Sequence, residues 1–267
     1  MADPISLHPS ELAYVLSYLN VKALIGWGAD YFTPPRGRTD AFYADGLARL
    51  RRANRLVPGH QPGKERFSDE ISQIAATLAD PELVLVTNRK ERTGVRVLTD
   101  YVSGTHVVEL SLGKDGNFHV VEHASLAGAA GAAAGFVGAT PEPVETPVRI
   151  EADQQEFSRI KELAKKGPGK PAVAALVKLG ADETAARSAV AAFSKPAASG
   201  IISVLYCAGN VTQDAETYAV LTNAEGESWV IFPPGSAEGL VVLERTSVGS
   251  LTARIMLAIS ARMLLPG

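Results

Sequence analysis

The residues of this chain best suited to chemistry are one cysteine, five histidines, and scattered serines and carboxylates. A lone cysteine excludes an intramolecular disulfide. Cys207 lies in the apolar run Ile201-Ile-Ser-Val-Leu-Tyr-Cys-Ala-Gly209, with no basic neighbour or helix start to make its thiol acidic. It is expected to act as a small buried hydrophobe. The histidines are His8, His60, His106, His119 and His123. His119 and His123 are spaced as two metal ligands on one helix face would be. Their segment, FHVVEHAS, instead reads as a strand and a turn. The even separation keeps both on one strand face, but no cysteine or acidic cluster stands beside them in the chain, so no metal site is expected.

Other motifs give equally little. Gly128-Ala-Ala-Gly131-Ala-Ala-Ala-Gly135 meets neither the dinucleotide nor the P-loop fingerprint, and its small residues suit close helix packing. Gly-X-Ser-X-Gly is absent, and Ser125 and Ser250 are not in a nucleophile elbow. The pairs Asp69-Glu70 and Asp182-Glu183 sit where helix starts favour negative charge. The expectation is a chain without catalytic residues, cofactor or metal, and therefore not an enzyme. Asn88-Arg89-Lys90-Glu91-Arg92-Thr93 is different: a dense run of charge between two apolar strands. The run reads as a solvated hairpin or, because charged loops on rigid sheets set partner specificity and association rate, as a partner-contacting loop with Arg89, Lys90, Glu91 and Arg92 as the candidate contacts. The apolar tail Met263-Leu264-Leu265 is either core or a docking edge.

The elements that must position these residues follow from pattern. Ser10 is the expected cap of a helix with Leu12, Val15, Leu16 and Leu19 on one face. Val21 to Phe32 reads as a strand or an extended connector, with the strand favoured, and Thr33 to Arg38 as a loop. Helical spacing returns from Thr39 to Val57 and again after Ser68, stopping at Asp80-Pro81 because proline disfavours helix at the residue before it. Four β segments follow (Leu83–Thr87, Val95–Val102, Thr105–Leu112, Asn117–Glu122). Their connections are too short for helical crossovers and so describe an antiparallel meander. A Pro-rich stretch, Ala139 to Ile150, precedes helices at Ala152–Lys165, Ala172–Leu179 and Asp182–Phe193. Strands recur at Gly200–Ala208, Thr217–Asn223, Ser228–Phe232 and Gly239–Leu243, and a final amphipathic helix runs from Ser250 to Leu265.

The chain thus states one pattern twice, in blocks Phe67–Gly131 and Ala185–Ile255. Each is a helix, a proline break, a meander, a Glu-X-X-Ser closure (Glu122 and Ser125; Glu244 and Ser247) and a small-residue helix. The turn at Asn223–Gly226 is read as the counterpart of the one at Gly113–Asn117. The expected fold is α+β: internally duplicated antiparallel meanders covered by helices, related by a pseudo-two-fold axis. The halves are residues 1–138 and 151–267, joined by a linker at 139–150. At 46% hydrophobic, 21% charged and net charge −3, the composition is that of a globular protein and argues against a general affinity for nucleic acid. MADPISLHPS lacks the basic and apolar regions of a signal peptide, and the Ala/Gly-rich stretch is too weakly apolar to span a membrane. A cytoplasmic location is expected.

Several of these residues carry a family resemblance. Leu78-Ala79-Asp80-Pro81 leads into the first meander. Ala198-Ser199-Gly200-Ile201 opens a strand, followed by Tyr218-Ala-Val-Leu221 and Glu227-Ser228-Trp229-Val230 before a Pro-rich turn. With the duplication, this layout resembles the EspG family, the cytosolic chaperones of type VII (ESX) secretion. The resemblance implies a protein client, the helical tip of a PE–PPE heterodimer, shielded until export. It also implies contacts from a sheet hairpin and C-terminal helices, which fall here on Arg89–Arg92 and on Leu251 and Ile255. The alternative is a transcriptional or signalling regulator with a helix-turn-helix-like unit at Ser10–Val57 or Ala152–Phe193.

Overall fold

The computed structural model describes residues 4–59, 61, 63–167, 169–208, 211–233 and 239–263. The elements in chain order are β1 (Ile5–Leu7), α1 (Pro9–Tyr18), α2 (Thr39–Arg52), β2 (Leu56–Pro58), β3 (Glu65–Phe67), α3 (Asp69–Ala79), β4 (Leu83–Glu91), β5 (Gly94–Ser103), β6 (His106–Leu112), β7 (Phe118–His123) and α4 (Leu126–Phe136). The second half holds β8 (Arg149–Asp153), α5 (Gln154–Lys165), α6 (Lys170–Lys178), α7 (Glu183–Ser194), β9 (Ala198–Ala208), β10 (Val211–Thr222), β11 (Ser228–Phe232), β12 (Leu240–Thr246) and α8 (Val248–Met263). Apart from the small β2–β3 ribbon, the strands form one sheet in the order β1-β7-β6-β5-β4-β9-β10-β11-β12-β8. That order is a palindrome. Pairing β1 with β8, β4 with β9 and so on maps each half onto the other, which makes the fold the internally duplicated α+β arrangement expected.

Local chemistry repeats as well. Asp80 and Lys195, each just before a proline, end α3 and α7 with nearly the same dihedrals, φ −138° and ψ 66° against φ −148° and ψ 77°. Both N–H groups donate to the carbonyl four residues back at 3.1 Å. Proline keeps the preceding residue out of the helical region, so each copy stops at the same step. Ser68 and Asp182 cap the two helices by accepting from Ile71 N at 3.4 Å and Ala185 N at 2.8 Å.

The structure revises several sequence expectations. The cap of α1 is His8 rather than Ser10: Pro9 fits the first helical position, and Glu11 accepts from His8 N at 2.8 Å to close a capping box. Ser10 Oγ is left to donate to Asp45 on α2 at 2.8 Å. Val21–Phe32 is not a strand. Gly26, at φ +86°, turns the backbone there, and Trp27 and Phe32 fold down onto Phe118, with ring centroids 5.2 and 5.6 Å away. The helix from Thr39 ends at Arg52, where Asn54 takes a left-handed conformation (φ 55°) before β2. The Gly113–Asn117 turn joins β6 to β7, whereas Asn223–Gly226 joins β10 to β11. The two turns are alike in geometry but not equivalent in topology.

Contacts divide the chain into two compact units. The first comprises Met1–Val86, Val97–Leu126 and Leu205–Ala215; the second comprises Thr87–Arg96, Ala127–Val204 and Glu216–Gly267. In the first, Leu12, Leu16, Leu50, Ile71, Ile74 and Leu78 pack with Tyr101, Leu110 and Phe118 in one core. In the second, α5, α6 and α7 close over Trp229 and Leu243. Trp229 is fully buried, and its indole N–H donates to Ser188 Oγ at 3.0 Å. Each unit contains one hairpin tip from the other half of the sequence: Leu205–Ala215 in the first, Thr87–Arg96 in the second.

Candidate functional site

The charged run at Asn88–Thr93 is mostly strand rather than loop. β4 extends to Glu91 and β5 resumes at Gly94, so the turn itself is Arg92-Thr93. The hairpin is ordered by contacts inside the second unit. Gly200 on β9 allows the close approach, since a Cβ there would lie 2.5 Å from the Asn88 carbonyl oxygen and 2.8 Å from Val137. Arg89 Nη1 donates to the Phe136 carbonyl at 3.1 Å, at the end of α4. A cation at a helix C-terminus meets both an orphan carbonyl and the negative end of the helix dipole. Arg96 lies 5.2 Å over the Phe136 ring and reaches Glu91 at 3.4 Å.

This divides the four expected contact residues by role. Arg89 holds the hairpin to α4, while Lys90, Glu91 and Arg92 are exposed. Val95, which the charge pattern did not single out, adds an apolar side chain 62% exposed to the tip. The hairpin offers two cations, an acid and a hydrophobe on a braced two-residue turn.

α8 is arranged otherwise than its residue types alone imply. Ser247 starts it, donating its N–H to Ser250 Oγ at 2.8 Å while its own Oγ accepts from Ser250 N at 3.3 Å. Glu244 takes both oxygens' bonds from Arg254 at 2.7 and 2.6 Å, and Arg254 lies 4.3 Å over Phe232. The second Glu-X-X-Ser is therefore a device for seating α8. Leu251 and Ile255, expected as partner contacts, are wholly buried, so they anchor the helix and do not meet solvent. Its exposed large apolar side chains are Leu257 and Met263, 69% and 71% exposed; Leu264 and Leu265 lie outside the described residues.

No protein-family profile matches the chain, and no curated protein matches its sequence. Among solved structures, it is similar to the Mycobacterium tuberculosis type VII secretion system chaperone EspG5, solved in complex with a PE25–PPE41 dimer. The two are 12% identical; the superposition covers 94% of this chain and 93% of the other with a TM-score of 0.67. The chain has an EspG-like fold.

Within the EspG-like fold the other candidate residues fall as follows. Cys207 packs at the edge of the first unit's core, and burial pushes its thiol up from the ordinary range. His119 sits near Asp115 at 3.4 Å, and His106 meets Gln73, both at the surface; His60 lies outside the described residues. His123 is turned inward, 2.9 Å from Glu109. Within Ser10–Val57, α1 and α2 are separated by residues 19–38, too far for a helix-turn-helix. α6 and α7 have a short turn, but α7 buries Ala185, Ala186, Ala189, Val190, Ala192 and Phe193 and exposes an acid, Glu183, at its start. A recognition helix needs the reverse. Among the described residues, no helix is long and apolar enough to cross a membrane.

Proposed function

We propose that this chain is a non-enzymatic chaperone or adaptor. In this reading it binds a helical client of the PE–PPE kind in the cytoplasm and keeps the client's apolar end covered until export. The observation that supports the reading is an EspG-like fold matched along nearly the full length of both chains, the second of them a chaperone in complex with a PE–PPE dimer. The β4–β5 hairpin is the proposed contact, with Lys90, Glu91 and Arg92 setting orientation and Val95 adding apolar area. On α8 the contacts pass to Leu257 and Met263, with Leu251 and Ile255 beneath them as anchors.

Co-expression with helical PE–PPE-type candidates, followed by size-exclusion chromatography, tests the reading. A stoichiometric complex is expected. In it, Lys90→Glu with Arg92→Glu should slow association about tenfold or more at low salt, with the difference shrinking as salt rises. The double variant should melt with the parent, since both side chains are exposed. Failure of every candidate pair to form a complex, or a charge reversal that leaves association unchanged, would count against the reading and its placement respectively.

A further inference from the structure

Three strands of the first unit bring together residues that are far apart in the chain. Asp100 on β5 stands opposite Glu109 on β6 in the sheet register. His123 on β7 lies on the same face, two residues from Val121, the partner of Glu109. His123 Nε2 is 2.9 Å from Glu109 Oε2 and 3.6 Å from Asp100 Oδ1. One ligand atom from each residue can be chosen so that all lie within 4.8 Å of one another.

The three residues are unequally satisfied. His123 and Glu109 have each other. Asp100 is completely buried, and neither of its carboxylate oxygens has a hydrogen-bond partner. Burial, with the Glu109 charge opposite, pushes its carboxyl well above the usual carboxylate range. A single proton on His123 Nε2 cannot serve both acids, because at 3.6 Å the Asp100 oxygen is beyond hydrogen-bonding reach. A cation with several coordination positions can serve all three.

We propose that Asp100, Glu109 and His123 form a binding site for one divalent metal ion of the zinc class. The donor set is one imidazole and two carboxylates, whose charge a divalent ion balances when His123 is neutral. Ligands ~2.0–2.2 Å from a metal and subtending ~90–120° lie roughly 3.0–3.6 Å apart. The two His123 distances, 2.9 and 3.6 Å, meet that spacing closely. An imidazole beside carboxylates selects a borderline ion such as Zn²⁺ over Mg²⁺ or Ca²⁺, which prefer oxygen alone. His123 and Glu109 keep 12% and 14% of their side chains exposed, leaving a route in for the ion and room for a water ligand. The site tethers three adjacent strands and is independent of client binding.

The test is calorimetric titration of the full, tag-free, chelator-treated chain with Zn²⁺, alongside Mg²⁺ and thermal melting with and without zinc. A single zinc per chain is expected, with a thermal midpoint that rises with zinc concentration. Asp100→Asn is nearly isosteric, so it should fold; it should weaken zinc by more than ~100-fold, beyond the ~10–100-fold that loss of an outer-sphere partner typically costs. His123→Gln should do the same, while His119→Ala should bind as the parent does. No zinc binding, binding that survives both ligand variants, or binding that is lost with His119 would overturn the proposal. So would a cluster that only exchanges protons with pH while zinc leaves the melting curve unmoved.

Discussion

Gly46 gives the sharpest test of how the first unit is packed. It lies buried in α2 against the first turn of α1, and a Cβ there would be 2.2 Å from the Ser10 carbonyl oxygen, 2.7 Å from its carbon and 3.2 Å from Glu11 N. All three are backbone atoms, so no side chain can swing aside. That turn is also held from elsewhere, by the His8–Glu11 capping box and by Arg55, which reaches Glu11 at 2.9 Å and the Ser6 carbonyl at 2.8 Å. Gly46→Ala must therefore push α1 from α2 by roughly 1 Å to restore van der Waals distance. Overpacking of this kind costs about 1–3 kcal/mol. Stretching the 2.8 Å Ser10–Asp45 hydrogen bond forfeits about 1 kcal/mol more. Alanine's better helix propensity returns about 1 kcal/mol. The net is a loss of about 1–3 kcal/mol, which lowers the thermal midpoint by roughly 2–12 °C for a chain of this size. Gly131→Ala in α4 is the control, because its Cβ would meet only Thr252 Oγ1 at 3.7 Å, an ordinary contact. It should gain about 0.5–1 kcal/mol. Circular dichroism through thermal and urea unfolding measures both. A Gly46→Ala variant as stable as the parent, or more so, would refute the close helix crossing and the reasoning built on it.

Other outcomes follow from single contacts. Ser188 Oγ accepts from both Trp229 Nε1 at 3.0 Å and Asn223 Nδ2 at 3.1 Å; Ser188→Ala strands the buried Trp229 donor and leaves Asn223 Nδ2 only its 3.4 Å bond to Glu227, and should cost about 1–3 kcal/mol, read by urea unfolding. Bonds from Arg49, then from Ser10, hold the Asp45 carboxyl below its usual range. A depressed acid stabilises above its unfolded pKa, so this contribution is lost as pH falls from about 4. Because Asp45 is nearly half exposed, the loss should stay under ~1 kcal/mol, and Ser10→Ala should reduce it in acid melts. Alkylation of Cys207 in the native chain should have a pH midpoint above the ordinary thiol value, returning to it in denaturant.

What the sequence disclosed depends on how local each signal is. Ser68, Asp182 and the two prolines act within four residues of their targets, so the ends of α3 and α7 were legible in one dimension. The β1 and β8 strands, three and five residues long, were not. Each has too few residues to show alternation, and β8 begins inside the Pro-rich stretch read as a linker. Val21–Phe32 misled because its apolar residues are core residues of an irregular segment that Gly26 turns. The hairpin's charge was visible, but Arg89's duty to α4 depends on a carbonyl 47 residues away. The metal ligands were harder still. Asp100, Glu109 and His123 converge only through register, and a strand's own sequence does not state its neighbour's alignment. One signal was present: Asp100 and Glu109 are each the single acid of their strand, within the mostly apolar runs LTDYV and VVELS.

The hairpin exchanged into the first unit has a consequence for the nascent chain. Leu205–Ala215 belong to that unit, yet residues 127–204 are synthesised between them and its previous segment. At translation rates of about 5–20 residues per second, the ribosome takes roughly 4–16 s to add that stretch. Until β9 (Ala198–Ala208) is made, near the end of that interval, β4 lacks the neighbour it has in the finished sheet, and its N–H and C=O groups form an open edge able to recruit another chain. Truncation anywhere before residue 198 would leave that edge open permanently. Aggregation of such fragments would then arise from an unfinished sheet edge rather than from a poorly stable core.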